Sequence, residues 1–319
     1  MTTQRTYWHL ESLRREPSDY EVTSSELLYY PSRGFELELP LEHWYERYQR
    51  GSQLRSTNWE GFADPRATTY TSYVAAMREK EIFVEDLLGS CDEAHDRALS
   101  ADWLSRLEKL LPVLRFPTHG LQMLAAYVGQ MAPSGKLLIV SAFQAADELR
   151  RIQVLAYRMR QLQRCRPGFG GASKRVWQSD PAWQPLRALI ERMLVNYDFG
   201  EALVALNLVV KPLYDEHFQR GLGQLALSFG DRLLERVLEA LHEDALWHRE
   251  WSLALFRLLF QDRPENRGVV ERWIGAHYPV ALEALANTAP LFAADREQVA
   301  AALDRVGKGY LSALQVRVP

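Results

Sequence analysis

The chain has 319 residues, 47% of them hydrophobic and 25% charged, with a formal net charge of −3, which allows one large domain with a substantial core. The slight acidity argues against a nucleic-acid surface, which needs clustered Lys and Arg, and two distant cysteines, Cys91 and Cys165, exclude a disulfide framework. Apolar runs fall short of the roughly 18 residues of a membrane span, and the N-terminus lacks a signal-peptide core, so we expect a soluble cytoplasmic protein.

Residues 1–65 are rich in aromatic side chains and are broken up by four prolines. Only short helices fit, near residues 9–15 and 41–48, so we expect an extended N-terminal arm followed by a helical domain over residues 66–319. Aromatic groups bury large areas at interfaces. The arm either packs across its own bundle or, as we favour, reaches over a partner subunit. The candidate interface residues are Tyr7, Trp8, Tyr29, Tyr30, Trp44 and Tyr45.

Helical patterns follow from Asp64 onward. Asp64 and Pro65 could cap and open a helix that runs towards Ala98, and a second stretch covers residues 100–111. Pro112 and Pro117 predict a kink or break. The next predicted helix, residues 121–131, contains small residues that permit close helix contact, namely Ala125, Ala126 and Gly129.

The longest pattern covers residues 134–165. Apolar or small residues recur at spacings of three and four, which predicts a core helix with one buried stripe; they are Leu138, Ala142, Ala145, Leu149, Ile152, Ala156 and Met159. Beside this stripe, Glu148 and Arg151 are one turn apart and therefore neighbours on one face.

The remaining patterns also predict helices. Asp180 and Pro181 suggest a capped start, residues 201–210 are apolar nearly all round, and Pro212 should bend or end that helix. A helix over residues 231–260 carries His248 on its inward face, and two outer helices are expected at 265–277 and 295–314. Sustained strand-like alternation is lacking, so the predicted fold class is all-α.

Four of these helices invite comparison with di-iron carboxylate bundles, which use a Glu from each of two helices and a Glu-x-x-His pair from each of two others. Glu148, Glu201 and His248 suit such a site. Arg151 stands where the first pair needs histidine, Ala245 stands where the second needs glutamate, and residues 109–146 contain no Asp or Glu. We therefore predict a ferritin-like helical bundle with additional outer helices, without metal, in which Arg151 neutralises Glu148 and Glu201.

Several segments resemble the β subunit of bacterial multicomponent monooxygenases, especially the toluene and alkene branch. They are Arg5-Thr6-Tyr7-Trp8-His9-Leu10, residues 17–22, 121–133, 180–184, and Gly200-Glu201-Ala202 leading into Leu206-Asn207-Leu208-Val209-Val210-Lys211-Pro212. The resemblance implies a hydroxylase of paired αβγ units in which α holds the di-iron centre and this chain holds no cofactor. It also implies a separate effector protein, and a ferredoxin or reductase with FAD and iron–sulfur centres.

Two hypotheses remain. In the first, the chain is a non-catalytic scaffold subunit of a hydroxylase that oxidises hydrocarbons with O2 and electrons from NADH. In the second, it is a stand-alone ferritin-like enzyme with a reduced metal site. Metal analysis of the purified chain separates them, because only the second predicts stoichiometric iron. The resemblance places the hydrocarbon-binding pocket in α.

Overall fold

The computed structural model describes residues 8–25, 39–90 and 93–319, and this part of the chain contains helices and no strands. Its α-helices are Asp19–Ser24 (α1), Leu39–Tyr45 (α2), Tyr70–Gly89 (α3), Glu93–Ala98 (α4), Ala101–Leu110 (α5), Arg115–Gln130 (α6), Gly135–Cys165 (α7), Ser173–Ser179 (α8), Gln184–Leu194 (α9), Phe199–Leu203 (α10), Lys211–Asp215 (α11), Leu222–Ser228 (α12), Arg232–Asp262 (α13), Asn266–Ala286 (α14) and Arg296–Ser312 (α15). The all-α prediction is confirmed. None of these helices combines the length and apolarity needed to cross a membrane.

The centre of the molecule is a four-helix bundle of α6, α7, the helical segment 199–228 and α13. The two longest helices, α7 and α13, each have 31 residues and are therefore about 46 Å long. Each begins at a side-chain cap, because Ser134 Oγ accepts the Leu137 N–H at 3.3 Å and Asp231 Oδ1 accepts the Leu234 N–H at 3.0 Å. Both predicted starts are confirmed.

The third bundle helix does not end at Pro212. It runs from Phe199 to Ser228 and alternates α10, α11 and α12 with two π-helical segments, Val204–Val210 and Glu216–Gly221. A proline has no N–H and its ring crowds the carbonyl four residues earlier. Widening to a π-helix just before Pro212 relieves this crowding without a break. The Pro212 carbonyl accepts a hydrogen bond from Arg249 Nη2 at 2.9 Å.

The predicted helix start at Asp64 is wrong. Helix α3 begins at Tyr70, where Thr69 and Ser72 form a reciprocal capping box. Asp64 is instead buried, and its carboxylate accepts the N–H groups of Thr68 and of the Trp247 indole, both at 2.9 Å. Asp64 therefore stabilises a local turn and a long-range contact with Trp247, and it does not cap a helix.

Three other boundaries also differ from the prediction. Helix α6 already begins at Arg115, so Pro117 lies in a first turn whose N–H groups need no helical acceptor. Asp180 closes a turn by accepting the Ala182 N–H at 2.9 Å, and α9 starts only at Gln184. Helix α14 continues past Pro279 to Ala286.

The buried side of α7 differs from the predicted one. Of the seven apolar positions expected to be buried, only Ala145 is fully buried, whereas Ala142 and Leu149 are exposed and the others are half-buried. The buried side of the helix combines apolar residues with polar ones. The apolar members are Leu137, Val140, Phe143, Ala145, Val154, Leu155 and Leu162, and the polar members are Ser141, Gln144, Asp147, Glu148, Arg150, Arg151, Arg158 and Gln161. On α13, His248 is buried as predicted, and Ala245 is buried as well.

The described part of the N-terminal 65 residues lies on the bundle. Leu54 and Phe62 join the main core. The Trp44 ring packs against Tyr197 at 4.8 Å between centroids, and the Tyr45 hydroxyl donates to the Gln130 carbonyl at 3.1 Å; both side chains remain half-buried. The other candidate interface positions, Tyr7, Tyr29, Tyr30 and the side chain of Trp8, lie outside the described residues, as does Cys91.

Two glycines of α15 provide a matched test of core packing. A Cβ at Gly307 would overlap the hydroxyl of buried Tyr278 and lie 2.9 Å from Leu213 Cδ2, whereas a Cβ at Gly309 would meet nothing within 4 Å. We expect Gly307→Ala to lower the free energy of unfolding by about 1–3 kcal/mol. Gly309→Ala should raise it by about 0.5–1 kcal/mol through helix propensity. Urea titration of both variants checks this, and equal effects would contradict the close packing at Gly307.

Candidate functional site

Four charged side chains meet in the middle of the bundle, and we call them the ion cluster: Glu148 and Arg151 on α7, and Lys211 and Asp215 on α11. Arg151 Nη1 lies 2.8 Å from Glu148 Oε2 and 2.9 Å from Asp215 Oδ1. Lys211 Nζ lies 2.5 Å from Glu148 Oε1 and 2.8 Å from Asp215 Oδ2. Each cation therefore bridges both carboxylates.

The ion cluster is buried and electrically balanced. All four residues are at most 3% exposed. Burial favours a higher pKa for Asp215, but Lys211 and Arg151 outweigh it and hold this pKa below its usual value. Burial also acts to lower the pKa of Arg151, yet Glu148 and Asp215 raise it. Two carboxylates and two cations leave no net formal charge, which is the condition under which such a group is tolerated in a core.

A second layer connects the ion cluster to α13. Gln219 Nε2 donates to Asp215 Oδ1 at 3.1 Å, and Gln219 Oε1 lies 2.9 Å from His242 Nδ1. Gln219 belongs to the second π-helical segment, whose wider turns place it one turn beyond Asp215. Because burial lowers the pKa of His242 to about 4, its ring is neutral at pH 7 and donates a hydrogen bond through Nδ1–H.

His248 lies beside this cluster, where it binds a different carboxylate. Its Nε2 is 2.8 Å from Asp147 Oδ2, while the Tyr73 hydroxyl donates to Asp147 Oδ1 at 2.7 Å. Burial lowers the pKa of His248 to about 3 and raises the pKa of Asp147 to about 6. At neutral pH a neutral imidazole therefore donates through Nε2–H to an ionised carboxylate, while its Nδ1 has no hydrogen-bond partner among the described residues.

The other predicted site positions are separated. Arg151 pairs with Glu148 as expected. Glu201, however, does not reach Arg151, because it lies in the first turn of α10 and pairs with His277 Nε2 at 2.8 Å. Both of these side chains are partly exposed. Ala245 is fully buried among the apolar residues of α13 and offers no ligand atom.

A di-iron centre does not fit these residues. Such a centre needs four carboxylates and two imidazoles converging on one space, whereas here Arg151 and Lys211 fill the space between the two carboxylates. Among residues 8–25, 39–90 and 93–319, no three Asp, Glu, His or Cys side chains are grouped as a metal site. The arrangement can hold charge and fix helix positions, and it has no open coordination position.

Sequence reasoning missed Lys211, Asp215 and Gln219. The usable signal was a lone lysine in the apolar run 202–214, with a carboxylate one turn later, since a charged side chain in such a run needs a buried partner. Glu201 was a candidate ligand because it stands at the start of that apolar run. Its place in the first turn instead suits the helix dipole and an exposed position.

Comparison with known proteins identifies a family. Residues 43–263 match the family described as methane/phenol/alkene hydroxylase. The chain is 36% identical over 285 residues to the β subunit of the hydroxylase component of toluene-4-monooxygenase from Ectopseudomonas mendocina, and the match covers 87% of each chain. It superposes on a solved structure of toluene 4-monooxygenase with a TM-score of 0.86 and 34% identity, covering 91% of this chain and 98% of the other.

The similarity extends to a subunit of another kind. The chain is 22% identical over 226 residues to the α subunit of the oxygenase component of the alkene monooxygenase from Xanthobacter autotrophicus, which covers 69% of this chain and 45% of that protein. The chain is thus similar in sequence to proteins described as α and as β subunits. On the family match and the 36% identity, this chain belongs to the methane/phenol/alkene hydroxylase family.

Proposed function

We propose that the chain is the non-catalytic β subunit of a multicomponent monooxygenase hydroxylase, which hydroxylates or epoxidises hydrocarbons with O2 and electrons derived from NADH. The observation that carries this proposal is the ion cluster. A bundle of the ferritin-like kind keeps its architecture here, while its centre holds cations where iron would need empty space between carboxylates.

The relatives support the assignment of the chain as a hydroxylase β subunit. The toluene-4-monooxygenase relative is a hydroxylase β subunit that matches 87% of the chain. In our proposal the di-iron centre lies in a larger α subunit, a γ subunit completes a paired αβγ assembly, and an effector protein and a ferredoxin or reductase with FAD and iron–sulfur centres dock on it in the cytoplasm. The chain contributes shape and stability to α.

The N-terminal arm is proposed as part of the subunit contact. Tyr7, Trp8, Tyr29 and Tyr30 are the positions we assign to it, because large aromatic side chains with few rotors are favoured at interfaces. Trp44 and Tyr45 already rest half-buried on the bundle, so they could contribute only their remaining exposed edges to a partner.

Metal analysis tests the proposal. The chain is purified alone, incubated with Fe(II) and desalted. It should then retain less than about 0.1 iron per chain, because its site offers no set of ligands for the metal. The same chain purified with the larger hydroxylase subunit should show iron in proportion to that subunit only. Stoichiometric iron in this chain would overturn the proposal and favour a stand-alone enzyme.

A further inference from the structure

A small buried cavity lies beside the ion cluster. Its volume is about 10 Å³, which is about the space of one water-sized sphere. Four polar side chains border it, namely Thr118, Arg151, Tyr214 and Gln219, and apolar groups such as Leu155 complete the wall. Every residue in the wall is at most 3% exposed. The cavity is therefore part of the interior of the bundle and not a surface cleft.

Arg151 has more hydrogen-bond donors than the ion cluster uses. Its Nη1 atom donates to Glu148 Oε2 at 2.8 Å and to Asp215 Oδ1 at 2.9 Å, which uses both N–H groups on that nitrogen. The Nε and Nη2 atoms of Arg151 are buried and have no hydrogen-bond partner among the described residues. Buried N–H groups of this kind are unfavourable unless a further molecule pairs with them. The guanidinium group therefore needs an additional acceptor.

The wall of the cavity also contains oxygen acceptors. The hydroxyl groups of Thr118 and Tyr214 lie 2.8 Å apart and share one hydrogen bond, which leaves acceptor capacity on both oxygens. Gln219 Oε1 accepts from His242 Nδ1 at 2.9 Å and has a second lone pair. Unpaired donors and available acceptors therefore border one small space. A polar cavity of this kind is where proteins hold internal water.

We propose that this cavity is a binding site for one internal water molecule, which completes the hydrogen bonding of the ion cluster. The water accepts from the Nε–H or Nη2–H groups of Arg151 and donates to the hydroxyl and amide oxygens of Thr118, Tyr214 or Gln219. A buried water typically makes about three hydrogen bonds, and the wall provides enough partners for that. The site is formed by this chain alone and goes beyond the proposed function.

The charge balance of the ion cluster decides which small molecule fits the cavity. Arginine commonly binds anions, but Arg151 and Lys211 are already balanced by Glu148 and Asp215. An anion in the cavity would therefore bring an uncompensated negative charge into the core, which is costly. A nonpolar molecule would leave the Arg151 donors unpaired. Water is neutral, both accepts and donates hydrogen bonds, and matches the volume.

The water site extends the ion cluster to a third helix of the bundle. The salt bridges of the cluster join α7 to α11, whereas Thr118 lies on α6 and is hydrogen-bonded to Tyr214 of α11. A water between Arg151 and these hydroxyl groups connects α6 to the cluster. It also fixes the plane of the guanidinium group, which the salt bridges hold at Nη1 only.

A high-resolution crystal structure of the full chain, alone or within its hydroxylase, tests the site directly. We expect one density peak in the cavity, at about 2.7–3.2 Å from Arg151 Nε or Nη2 and from at least one oxygen of the wall. The absence of density in this space would overturn the proposal. Crystals soaked in bromide should show no anomalous peak there. A bromide peak in the cavity would also overturn the proposal, because it would identify an anion site.

Two substitutions of Thr118 form a matched pair for a test in solution. Thr118→Ile and Thr118→Val both remove the hydroxyl group, but only the isoleucine side chain adds a methyl group that fills the cavity. Oxygen-17 magnetic relaxation dispersion counts the long-lived internal waters of each full-length chain. We expect one fewer such water in Thr118→Ile than in the wild type, and the wild-type number in Thr118→Val. The wild-type number in Thr118→Ile would overturn the site. The crystallographic test uses no variant, so it decides the question even if Thr118→Ile fails to fold.

Discussion

Replacing Arg151 with methionine should lower the free energy of unfolding by about 3–5 kcal/mol, because removal of one partner leaves a buried charge uncompensated. Arg151 bridges Glu148 and Asp215 at 2.8 and 2.9 Å. Without it, Lys211 alone faces two buried carboxylates. The measurement is urea unfolding followed by circular dichroism, with the slope of the transition compared between variant and wild type.

Two further variants make this result interpretable. Arg187→Met removes a partly exposed ion pair with Glu191 and should cost at most about 1 kcal/mol. The double variant Glu148→Gln, Arg151→Met removes one charge of each sign and keeps Lys211 with Asp215, so it should recover much of the loss. A loss below about 1 kcal/mol in Arg151→Met would show that the ion cluster does not hold the bundle together.

Lowering the pH from 7 to 5 should destabilise the chain by about 4 kcal/mol, because three buried histidines are neutral in the folded state and charge on unfolding. Burial lowers the pKa of His217 to about 3, of His242 to about 4 and of His248 to about 3. Each depressed pKa contributes stability above the usual value of 6.5, and this contribution is lost as the pH falls towards the folded-state value. Over this range each histidine accounts for about 2 kcal/mol.

Asp147 acts in the opposite direction. Burial raises its pKa from 3.8 to about 6, so the folded state binds its proton more readily than the unfolded state, and this favours folding below pH 6. The offset is about 1 kcal/mol at pH 5. The sum of the four groups therefore remains strongly destabilising in acid.

Substitution of one histidine isolates its contribution. His217 Nε2 lies 2.7 Å from Thr288 Oγ1, a contact that glutamine can keep. In His217→Gln the loss between pH 7 and 5 should be about 2 kcal/mol smaller than in the wild type. The quantity to compare is the pH dependence of the unfolding free energy. An identical pH dependence in His217→Gln would refute a buried neutral imidazole at this position.

Helix positions were largely predictable, because caps and periodicity are local. Ser134 and Asp231 opened α7 and α13 as expected. The errors occurred where a distant contact decided the outcome. Asp64 is held by Trp247, and the π-helical widening before Pro212 depends on packing all around that segment.

The ion cluster was only half predictable for the same reason. Glu148 and Arg151 are one turn apart and visible in the sequence, but Asp215 is 64 positions from Arg151 and meets it only through tertiary packing. Periodicity also identified the two faces of α7 without deciding which one is buried. That decision depends on whether charged groups find partners across the bundle, and the local pattern contains no information about it.

The balanced charge of the ion cluster has a consequence for how the chain reaches its native state. A bundle centred on bare carboxylates would depend on metal loading to offset their mutual repulsion, so its folding would follow the supply of that metal. Here the neutralising cations are the guanidinium group of Arg151 and the ammonium group of Lys211, which are part of the polypeptide from its synthesis onward. We therefore expect the chain to fold when iron is scarce and to keep its fold in the presence of a chelator.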